Sequence, residues 1–255
     1  MTPCLNAVAT LTETLQSVRL QRYANVEHVV VDGGSRDGSV EILEAAEGIR
    51  YVSEPDRGLS HAMNKGIAMA TGEVIGWLNA DDRYLPSALH TVGQALAEHP
   101  EAAWVTGYCP IIDGQGCEIR KPVTAYKNAL LRHWSFPLYL THNFVSAPAT
   151  FVRRETYAEV GPFDERYRIS MDYDLWLRIA RGRPPLVLRR PLANFRMAEG
   201  TLSMTGFERQ FREHAENART HGEGHSWAVA ANAVISNAII LMYRGLRLAR
   251  RLRAT

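Results

Sequence analysis

The sequence predicts an α/β fold, in which a mostly parallel sheet has helices on both faces and is followed by a C-terminal helical extension. Short Val/Ile-rich runs alternate with helical patterns of about a dozen residues over the first hundred residues, which is typical of βαβ units. The composition, 46% hydrophobic and 22% charged, is that of a globular chain with a sizeable core. The 255 residues therefore fit one large domain with an appendage.

The elements follow from these patterns in chain order. Apolar runs bounded by polar or turn residues predict buried strands, and longer stretches with apolar residues at helical spacing predict the helices between them. The predicted strands are 27–32, 49–53, 73–78 and 102–108, and the predicted helices are 39–47, 59–70 and 85–98.

Beyond residue 108 the pattern weakens. Gly114-Gln115-Gly116 predicts a turn between two antiparallel strands, while 172–180 and 207–220 have helical periodicity. The aromatic-rich segment 121–142 is irregular. The segment could equally form a lid over a substrate or an irregular connection packed on the domain.

Charge and cysteine content narrow the functional classes. The net charge of +2 gives no indication of a nucleic-acid partner. The last 12 residues contain five arginines and no acid, so that the rest of the chain carries 2 − 5 = −3. Three scattered cysteines without a CxxC motif, and no visible signal peptide, favour a reducing, cytoplasmic location over a disulfide framework or a zinc site.

Acidic residues follow the predicted strands where they end. Asp81 and Asp82 follow the run 73–78 after two intervening residues, Asn79 and Ala80, and Asp32 ends the run 27–32. Ligands of parallel sheets bind outside the carboxyl ends of the strands. Two adjacent carboxylates cost free energy unless a cation lies beside them, and Mg²⁺ or Mn²⁺ bound to substrate phosphates would supply one. A turn with a helix N-cap is the simpler alternative.

Three other features also have ordinary explanations. The glycines after Asp32 allow a close approach to a ligand, but many strand-to-helix turns contain Asp, Gly and Ser. Lys65 fits a solvated helix face as well as a binding site. Asp172 stands at the start of the predicted helix 172–180, where it fits an N-cap or a general base at the edge of a pocket.

Four segments in this order and spacing resemble the family-2 inverting glycosyltransferases of the GT-A (Rossmann-like) fold, in particular those of bacterial envelope-polysaccharide synthesis. The resemblance covers roughly residues 2–203. The segments are VVVDGGSRDGS, SEPDRGLSHAMNKGIAMATGEVIGWLNADD, PATFVRRETYAEVGPFDE and MDYDLWLRIA.

The resemblance implies a site for a nucleotide-diphosphate sugar, with a UDP- or GDP-type donor. Asp32 corresponds to the acid that binds the base or ribose. Other positions are implied to line the nucleotide: Thr2, Pro3 and Asn6 in a loop after the first strand, Asp56, Arg57 and Lys65 in the second segment, and Asn79 and Ala80 in the acid motif.

The resemblance also implies the catalytic groups. Asn79-Ala80-Asp81 corresponds to the family's DxD motif, in which Asp81, with Asp82 beside it, holds a divalent cation (Mn²⁺ or Mg²⁺) on the diphosphate. Asp172 corresponds to the base that deprotonates the acceptor hydroxyl. The acceptor would be a glycan or a lipid-linked sugar. The implied domain is 1–205, with a nucleotide-binding half to about 108 and an acceptor half from 109, followed by the extension 206–255.

The sequence departs from the family's pattern in three places. Asn79 replaces the first Asp of the DxD motif. A histidine often found in an F/Y-R-x-H segment is absent from Phe195-Arg196-Met197-Ala198. The family's first strand is expected before Thr2, so that this sequence would begin after it. A catalytically silent binding scaffold and a sugar nucleotidyltransferase therefore remain as alternatives.

The C-terminal extension contains an apolar stretch, 227–243. Its three polar residues, Asn232, Ser236 and Asn237, cluster on one side of a helix. Seventeen residues span about 25 Å, which is marginal for a bilayer core of about 30 Å. Together with the arginines that follow, the stretch favours a peripheral helix on an anionic cytoplasmic membrane surface. The alternative is a helix packed on the domain or on another subunit, and the oligomeric state stays open.

Overall fold

The computed structural model describes residues 1–197 and 206–254, with side chains as far as residue 245. The strands are β1 (Thr2–Cys4), β2 (His28–Asp32), β3 (Ile49–Ser53), β4 (Val74–Gly76), β5 (Arg83–Tyr84), β6 (Trp104–Tyr108), β7 (Ile111–Ile112), β8 (Glu118–Ile119), β9 (Thr150–Arg153), β10 (Leu186–Pro191) and β11 (Ala193–Arg196). The helices are α1 (Leu11–Arg19), α2 (Ser39–Ala45), α3 (Leu59–Met69), α4 (Ala88–Glu98), α5 (Lys121–Arg132), α6 (Phe136–Thr141), α7 (Arg154–Val160), α8 (Met171–Ala180), α9 (Phe207–His221) and α10 (Ser226–Ala254).

The central sheet is parallel in its first half and mixed in its second. Strands β1, β2 and β3 pair in parallel, whereas β9 runs antiparallel to β4 and β6 in the order β10-β6-β9-β4. Backbone hydrogen bonds of Met1 join the two halves: its ammonium group donates to the Gly76 carbonyl (2.7 Å), and the Leu78 N–H donates to the Met1 carbonyl (3.0 Å). A second sheet has the order β5-β11-β7-β8.

The structure differs from the prediction that Thr2 begins the loop after the first strand. Thr2–Cys4 form β1, which is buried and lies between β2 and β4, so the expected gap in the sheet is filled. The strand is short and contains Pro3. Proline lacks an N–H donor and is rare in central strands, which is why the pattern did not predict a strand there. The loop after the first strand therefore begins at Leu5, not at Thr2.

The other predicted strands and helices are present, with ends that differ by a few residues. The turn at 114–116 joins the antiparallel strands β7 and β8. The segment 121–142, predicted to be irregular, contains α5 and α6. The aromatic residues of this segment did not indicate these helices because they do not share one buried face: Trp134 and Tyr139 face the core, whereas Tyr126 faces solvent.

An aromatic core behind the sheet fixes the start of α8. Tyr173 and Trp176 are fully buried, and the indole of Trp176 stacks on that of Trp104 with 5.6 Å between ring centroids. Trp134 meets the other side of Trp104 edge-on. Burial of such large aromatic side chains contributes strongly to stability. It also holds the first turn of α8, which carries Asp172, in a defined position.

Candidate active site

The acids after β4 form a turn in which Asp82 points inward. Asp82 is 1% exposed. One of its carboxylate oxygens accepts a hydrogen bond from the Arg196 N–H (2.8 Å), and the other accepts from the Asn79 side-chain amide (3.1 Å). Both oxygens of Asp82 are therefore engaged within the protein.

The backbone of this turn is held at three successive carbonyls. The hydroxyls of Thr10 and Thr14 donate to the carbonyls of Ala80 and Asp82, and the Arg196 Nε donates to that of Asp81, each at 2.8 Å. Among the described residues, no side chain donates a hydrogen bond to the Asp81 carboxylate, which is partly exposed. The turn thus presents one carboxylate from a fixed backbone.

The guanidinium of Arg196 lies beside both acids. Arg196 is 3% exposed, and it also donates to the carbonyls of Asp113 (3.0 Å) and Gly114 (3.1 Å) and contacts Glu13. Burial raises the pKa of both Asp81 and Asp82, and the charge of Asp81 adds to the rise at Asp82, whereas Arg196 lowers both pKa values. The positive charge of Arg196 therefore offsets part of the repulsion between the Asp81 and Asp82 carboxylates.

Asn79 uses both ends of its amide. Its oxygen accepts a hydrogen bond from the Trp77 indole (2.6 Å), and its nitrogen donates to Asp82. An aspartate could accept from Trp77, but an ionised carboxylate could not donate to Asp82. Asparagine in place of the first aspartate of the DxD motif therefore suits this position, because the surrounding hydrogen bonds require both a donor and an acceptor.

The acid turn fits a hard divalent cation of the kind that also binds substrate phosphates. Such ions are commonly held by one or two carboxylates, with waters and phosphates completing the shell. In the described part of the chain, no three His, Cys, Asp or Glu side chains gather into a protein-only metal site. Asp81 supplies one accessible carboxylate, whereas Asp82, predicted as a second ligand, has both oxygens in internal hydrogen bonds.

Asp32, at the end of β2, shapes the loop that follows. Its carboxylate is fully buried and accepts hydrogen bonds from the N–H groups of Gly34 (3.0 Å) and Ser35 (2.9 Å) and from the Ser53 hydroxyl (2.7 Å). Burial alone would raise the pKa of Asp32, but these hydrogen bonds outweigh it and lower the pKa.

The loop after β1 is bound to the same segment. Asn6 has a positive φ of 50°, a conformation that asparagine tolerates better than most residues. Its N–H donates to the Ser35 hydroxyl (2.7 Å), and its side-chain oxygen accepts from the Arg36 N–H (2.9 Å). Thr2 and Pro3, by contrast, are buried in β1, where the Thr2 hydroxyl contacts His28. Of the three residues predicted in this loop, Asn6 alone lies in it.

The segment after β3 brings one predicted residue against the Asp32 loop. A Cβ atom on Gly33 would lie 2.5 Å from the Asp56 carboxylate, so the close approach requires glycine. Arg57 instead forms a forked ion pair with Glu165 (2.9 Å). Lys65 pairs with Glu54 (2.7 Å). To bind a nucleotide, each of these two cations would have to break its ion pair or contact the nucleotide and the acid at the same time.

Asp172 lies in the first turn of α8, partly exposed. Its carboxylate accepts hydrogen bonds from the Tyr173 N–H (2.7 Å) and from the Asn143 amide (3.2 Å). Burial raises the pKa of Asp172 to about 6, although these bonds and the charge of Lys127 partly oppose the rise. A carboxyl group with such a pKa is suited to accept a proton near neutral pH.

Two residues that the sequence did not indicate connect the acids with the base. The Cys109 thiol is close enough to Asp82 and Lys127 for their charges to act on its pKa, which burial raises. Lys127 in turn interacts electrostatically with Asp172 and donates to the Ser146 hydroxyl (2.9 Å). Cys109 and Lys127 therefore couple the acid turn electrostatically to Asp172, and no motif pointed to either residue.

The C-terminal helix α10 turns its polar side toward the protein. Asn232 is fully buried and donates to the Leu140 carbonyl (2.9 Å) and the Tyr173 hydroxyl (3.3 Å), while Ser236 donates to Asn232. Two of the three polar residues predicted to cluster on this helix, Asn232 and Ser236, therefore face the protein, whereas Asn237 is exposed to solvent. As far as residue 245, the exposed large apolar side chains of α10 are Trp227, Val234, Leu241 and Met242.

By length and composition alone, the stretch Ser226–Gly245 of α10 would be able to cross a membrane, with a mean hydropathy of 1.4. This is weak evidence, because core helices of soluble proteins pass the same criterion. The side chains of Arg247, Arg250, Arg251 and Arg253, and the position of Ala198, lie outside the described residues.

Known protein sequences related to this chain are glycosyltransferases. The profile described as glycosyl transferase family 2 matches residues 1–159. A glycosyltransferase of Mycobacterium tuberculosis of uncharacterised specificity is 33% identical over 199 residues, covering 76% of this chain and 73% of that protein. A PGL/p-HBAD biosynthesis glycosyltransferase of Mycobacterium bovis is 31% identical over 194 residues, covering 73% and 70%. The chain spans only 31% of the length of a related glycosyltransferase from Rickettsia felis.

Solved structures share the fold at low identity. S. aureus TarS 1-349 in complex with UDP-GlcNAc superposes with a TM-score of 0.66 at 17% identity, over 85% of this chain and 64% of that one. The mannosyltransferase PcManGT from Pyrobaculum calidifontis, in complex with GDP-Man and Mn²⁺, gives a TM-score of 0.63 at 20% identity, over 99% and 81%.

The hydrogen bonds of Asn79 lead to a stability prediction. Asn79→Asp should lower the free energy of unfolding by about 3 kcal/mol at neutral pH, because it removes the donor to Asp82 and places a second carboxylate against a buried one. Chemical denaturation measures the effect. The control is Asn25→Asp, which makes the same charge change at an exposed position and should cost less than about 0.5 kcal/mol. Equal losses in the two variants would contradict the assigned role of Asn79.

Proposed function

This chain belongs to glycosyl transferase family 2, and from that premise we propose that it transfers a sugar from a UDP- or GDP-sugar to a hydroxyl group of a glycan or lipid-linked acceptor, with inversion and with a divalent cation. The observation that carries the proposal is the arrangement of two carboxylates. Asp81 projects from a turn whose backbone is fixed, and Asp172, which is coupled electrostatically to that turn through Lys127 and Cys109, has a raised pKa.

The donor half of the proposal draws on the loops after β1, β2 and β3. These loops meet at Asn6, Gly33 and Asp56, at the carboxyl ends of parallel strands, where nucleotides commonly bind. The structural neighbours are described with UDP-GlcNAc, and with GDP-Man and Mn²⁺. We assign the nucleotide to this place, with Asp32 buried beneath it as the support of the loop.

The chemistry follows from the two carboxylates. A cation at Asp81 would offset charge on the diphosphate leaving group. Asp172 accepts the proton of the acceptor hydroxyl while the oxygen of that hydroxyl attacks the anomeric carbon. The bond from that carbon to the diphosphate breaks on the opposite face. One displacement inverts the anomeric configuration. The Tyr173 N–H and Asn143 keep the Asp172 carboxylate oriented toward the acceptor.

Family membership disfavours the sugar nucleotidyltransferase and leaves one alternative, a silent scaffold. Asp81 and Asp172 are both retained, and the buried bonds around Asn79 account for its departure from the DxD pattern. We therefore favour an active enzyme over a binding scaffold, and keep the division into a catalytic domain at 1–205 and an extension at 206–255 as part of the proposal.

We further propose that α10 rests on the cytoplasmic surface of a membrane, where a lipid-linked envelope acceptor would be found. The exposed Trp227, Val234 and Leu241 recur at intervals of seven residues, so they form one apolar stripe. The sequence continues into the arginine-rich end 247–253. An apolar stripe followed by cationic residues matches the chemistry of an anionic lipid surface.

The acid turn leads to a nucleotide-binding prediction. Wild-type protein should bind UDP or GDP more tightly with Mn²⁺ than without it, and Asp81→Ala should lose roughly 10- to 100-fold in the Mn²⁺-dependent affinity. Isothermal titration calorimetry measures both. Glu98→Ala, which removes an exposed acid on α4, is the control. Failure of the wild type to bind either nucleotide with Mn²⁺ would count against the proposed function.

The base leads to a kinetic prediction. Asp172→Asn should reduce turnover of the donor by about 10²- to 10⁴-fold with little change in nucleotide affinity. In the wild type the rate should rise with pH through about 6, because Asp172 accepts a proton only when ionised and burial raises its pKa to that value. Asp164→Asn removes an acid paired with Arg166 and should leave turnover unchanged. Normal turnover by Asp172→Asn would reject the assignment.

The apolar stripe leads to a binding prediction. Replacing both Val234 and Leu241 by Asp should weaken binding to phosphatidylglycerol-containing vesicles at least about tenfold, because two apolar side chains lose their burial in lipid. Vesicle co-sedimentation measures this. Asn237→Asp adds one acid at an exposed position of the same helix and should have a small effect. Equal binding by the double variant and the wild type would show that α10 is not the lipid contact.

A further inference from the structure

A tyrosine and a histidine in the segment 121–142 form a stacked, partly exposed aromatic pair. The rings of Tyr126 in α5 and His142 after α6 are nearly parallel, at an interplanar angle of 11° with centroids 5.6 Å apart. Tyr126 is 53% exposed, whereas the neighbouring Tyr139 and Trp134 pack into the aromatic core. An aromatic ring held open to solvent offers a large apolar area to a ligand.

The hydrogen bonds around His142 fix its protonation. The Thr141 hydroxyl donates to the Leu138 carbonyl (2.7 Å), so it accepts from His142 Nδ1 (2.8 Å). His142 Nε2 is then the acceptor for the Tyr126 hydroxyl at 3.1 Å. This pattern requires a neutral imidazole, and burial together with the charge of Lys127 lowers the pKa of His142 to about 4. The Tyr126 oxygen keeps its lone pairs for a ligand hydroxyl.

The pair is attached to the residues that orient the base. Asn143, which donates to the Asp172 carboxylate (3.2 Å), directly follows His142. Lys127, which interacts electrostatically with both Asp172 and His142, directly follows Tyr126. At the other end, Arg120 before α5 donates to the Tyr243 hydroxyl of α10 (3.3 Å). The residues that directly follow the two rings in the chain thus act on Asp172, Asn143 by a hydrogen bond and Lys127 by its charge.

We propose that Tyr126 and His142 form a platform for the sugar ring of the acceptor, an inference that rests on the proposed transferase function. The less polar C–H face of a pyranose would lie on the ring plane, and ring hydroxyls would donate to the Tyr126 oxygen. A hydroxyl of the same ring then reaches Asp172. The platform thereby sets which acceptor hydroxyl meets the base, and it makes a sugar, not a lipid phosphate alone, the group that the enzyme recognises.

The test measures how the donor divides between transfer and hydrolysis. Wild-type protein is given the donor sugar nucleotide, Mn²⁺ and a panel of p-nitrophenyl glycosides as acceptor probes, and glycosylated product and free sugar are both quantified. Tyr126→Ala should raise the KM for an accepted glycoside about tenfold, as expected for loss of an aromatic contact, and should shift the partition toward hydrolysis by a similar factor. Tyr126→Phe keeps the ring and should change the KM by only about threefold.

The matched control is Tyr51→Ala, which removes another exposed tyrosine, on β3, and should leave the partition unchanged. The platform is rejected if Tyr126→Ala keeps the KM of the accepted glycoside, or if donor turnover falls in parallel with transfer. It is also rejected if the wild type hydrolyses the donor but uses no glycoside in the panel. Absence of both nucleotide binding and donor turnover in the wild type rejects the proposed function itself, which separates the two failures.

Discussion

The hydrogen bond from the Arg196 N–H to the buried Asp82 carboxylate joins the second sheet to the end of β4, and the geometry of the acid turn depends on it. The Arg196 side chain then holds the Asp81 carbonyl and the turn after β7. Asp82 would cost considerable free energy without these partners, because a buried carboxylate must be neutralised or hydrogen-bonded. One acid is thus used to fix the turn, which leaves the other free to act on a ligand.

The two sides of the site are built differently. At one end, loops after three parallel strands bind each other through side-chain and backbone hydrogen bonds, such as those between Asn6 and Ser35. At the other, Asp172 projects from a helix supported by an aromatic core, and its partner Asn143 comes from a neighbouring segment. Under the proposed function, the first part would hold the donor rigidly, while different acceptor hydroxyl groups approach Asp172.

The sequence predicted those features that depend on local pattern. Strands such as β2 and β3 were found because apolar runs carry their own signal; Asp81 was singled out because it follows such a run, and the role predicted for Asp172 rested on the family resemblance alone. Arg196 was not identified as a partner of Asp82, nor Asn143 as a partner of Asp172, since 114 and 29 residues separate them and no periodicity marks a long-range hydrogen bond. β1 was missed because Pro3 and its short length hide a strand that its neighbours stabilise.

One buried carbonyl has a practical meaning for chimeric proteins. The Leu140 oxygen accepts hydrogen bonds from both Tyr173 in the base helix and Asn232 in α10. A C-terminal helix taken from another protein would have to supply a side-chain amide at the position of Asn232. Otherwise the Leu140 carbonyl and the Tyr173 hydroxyl would each lose one hydrogen bond. The last helix is therefore not a modular segment that can be exchanged freely, since its docking register is tied to the position of α8 through the Leu140 carbonyl.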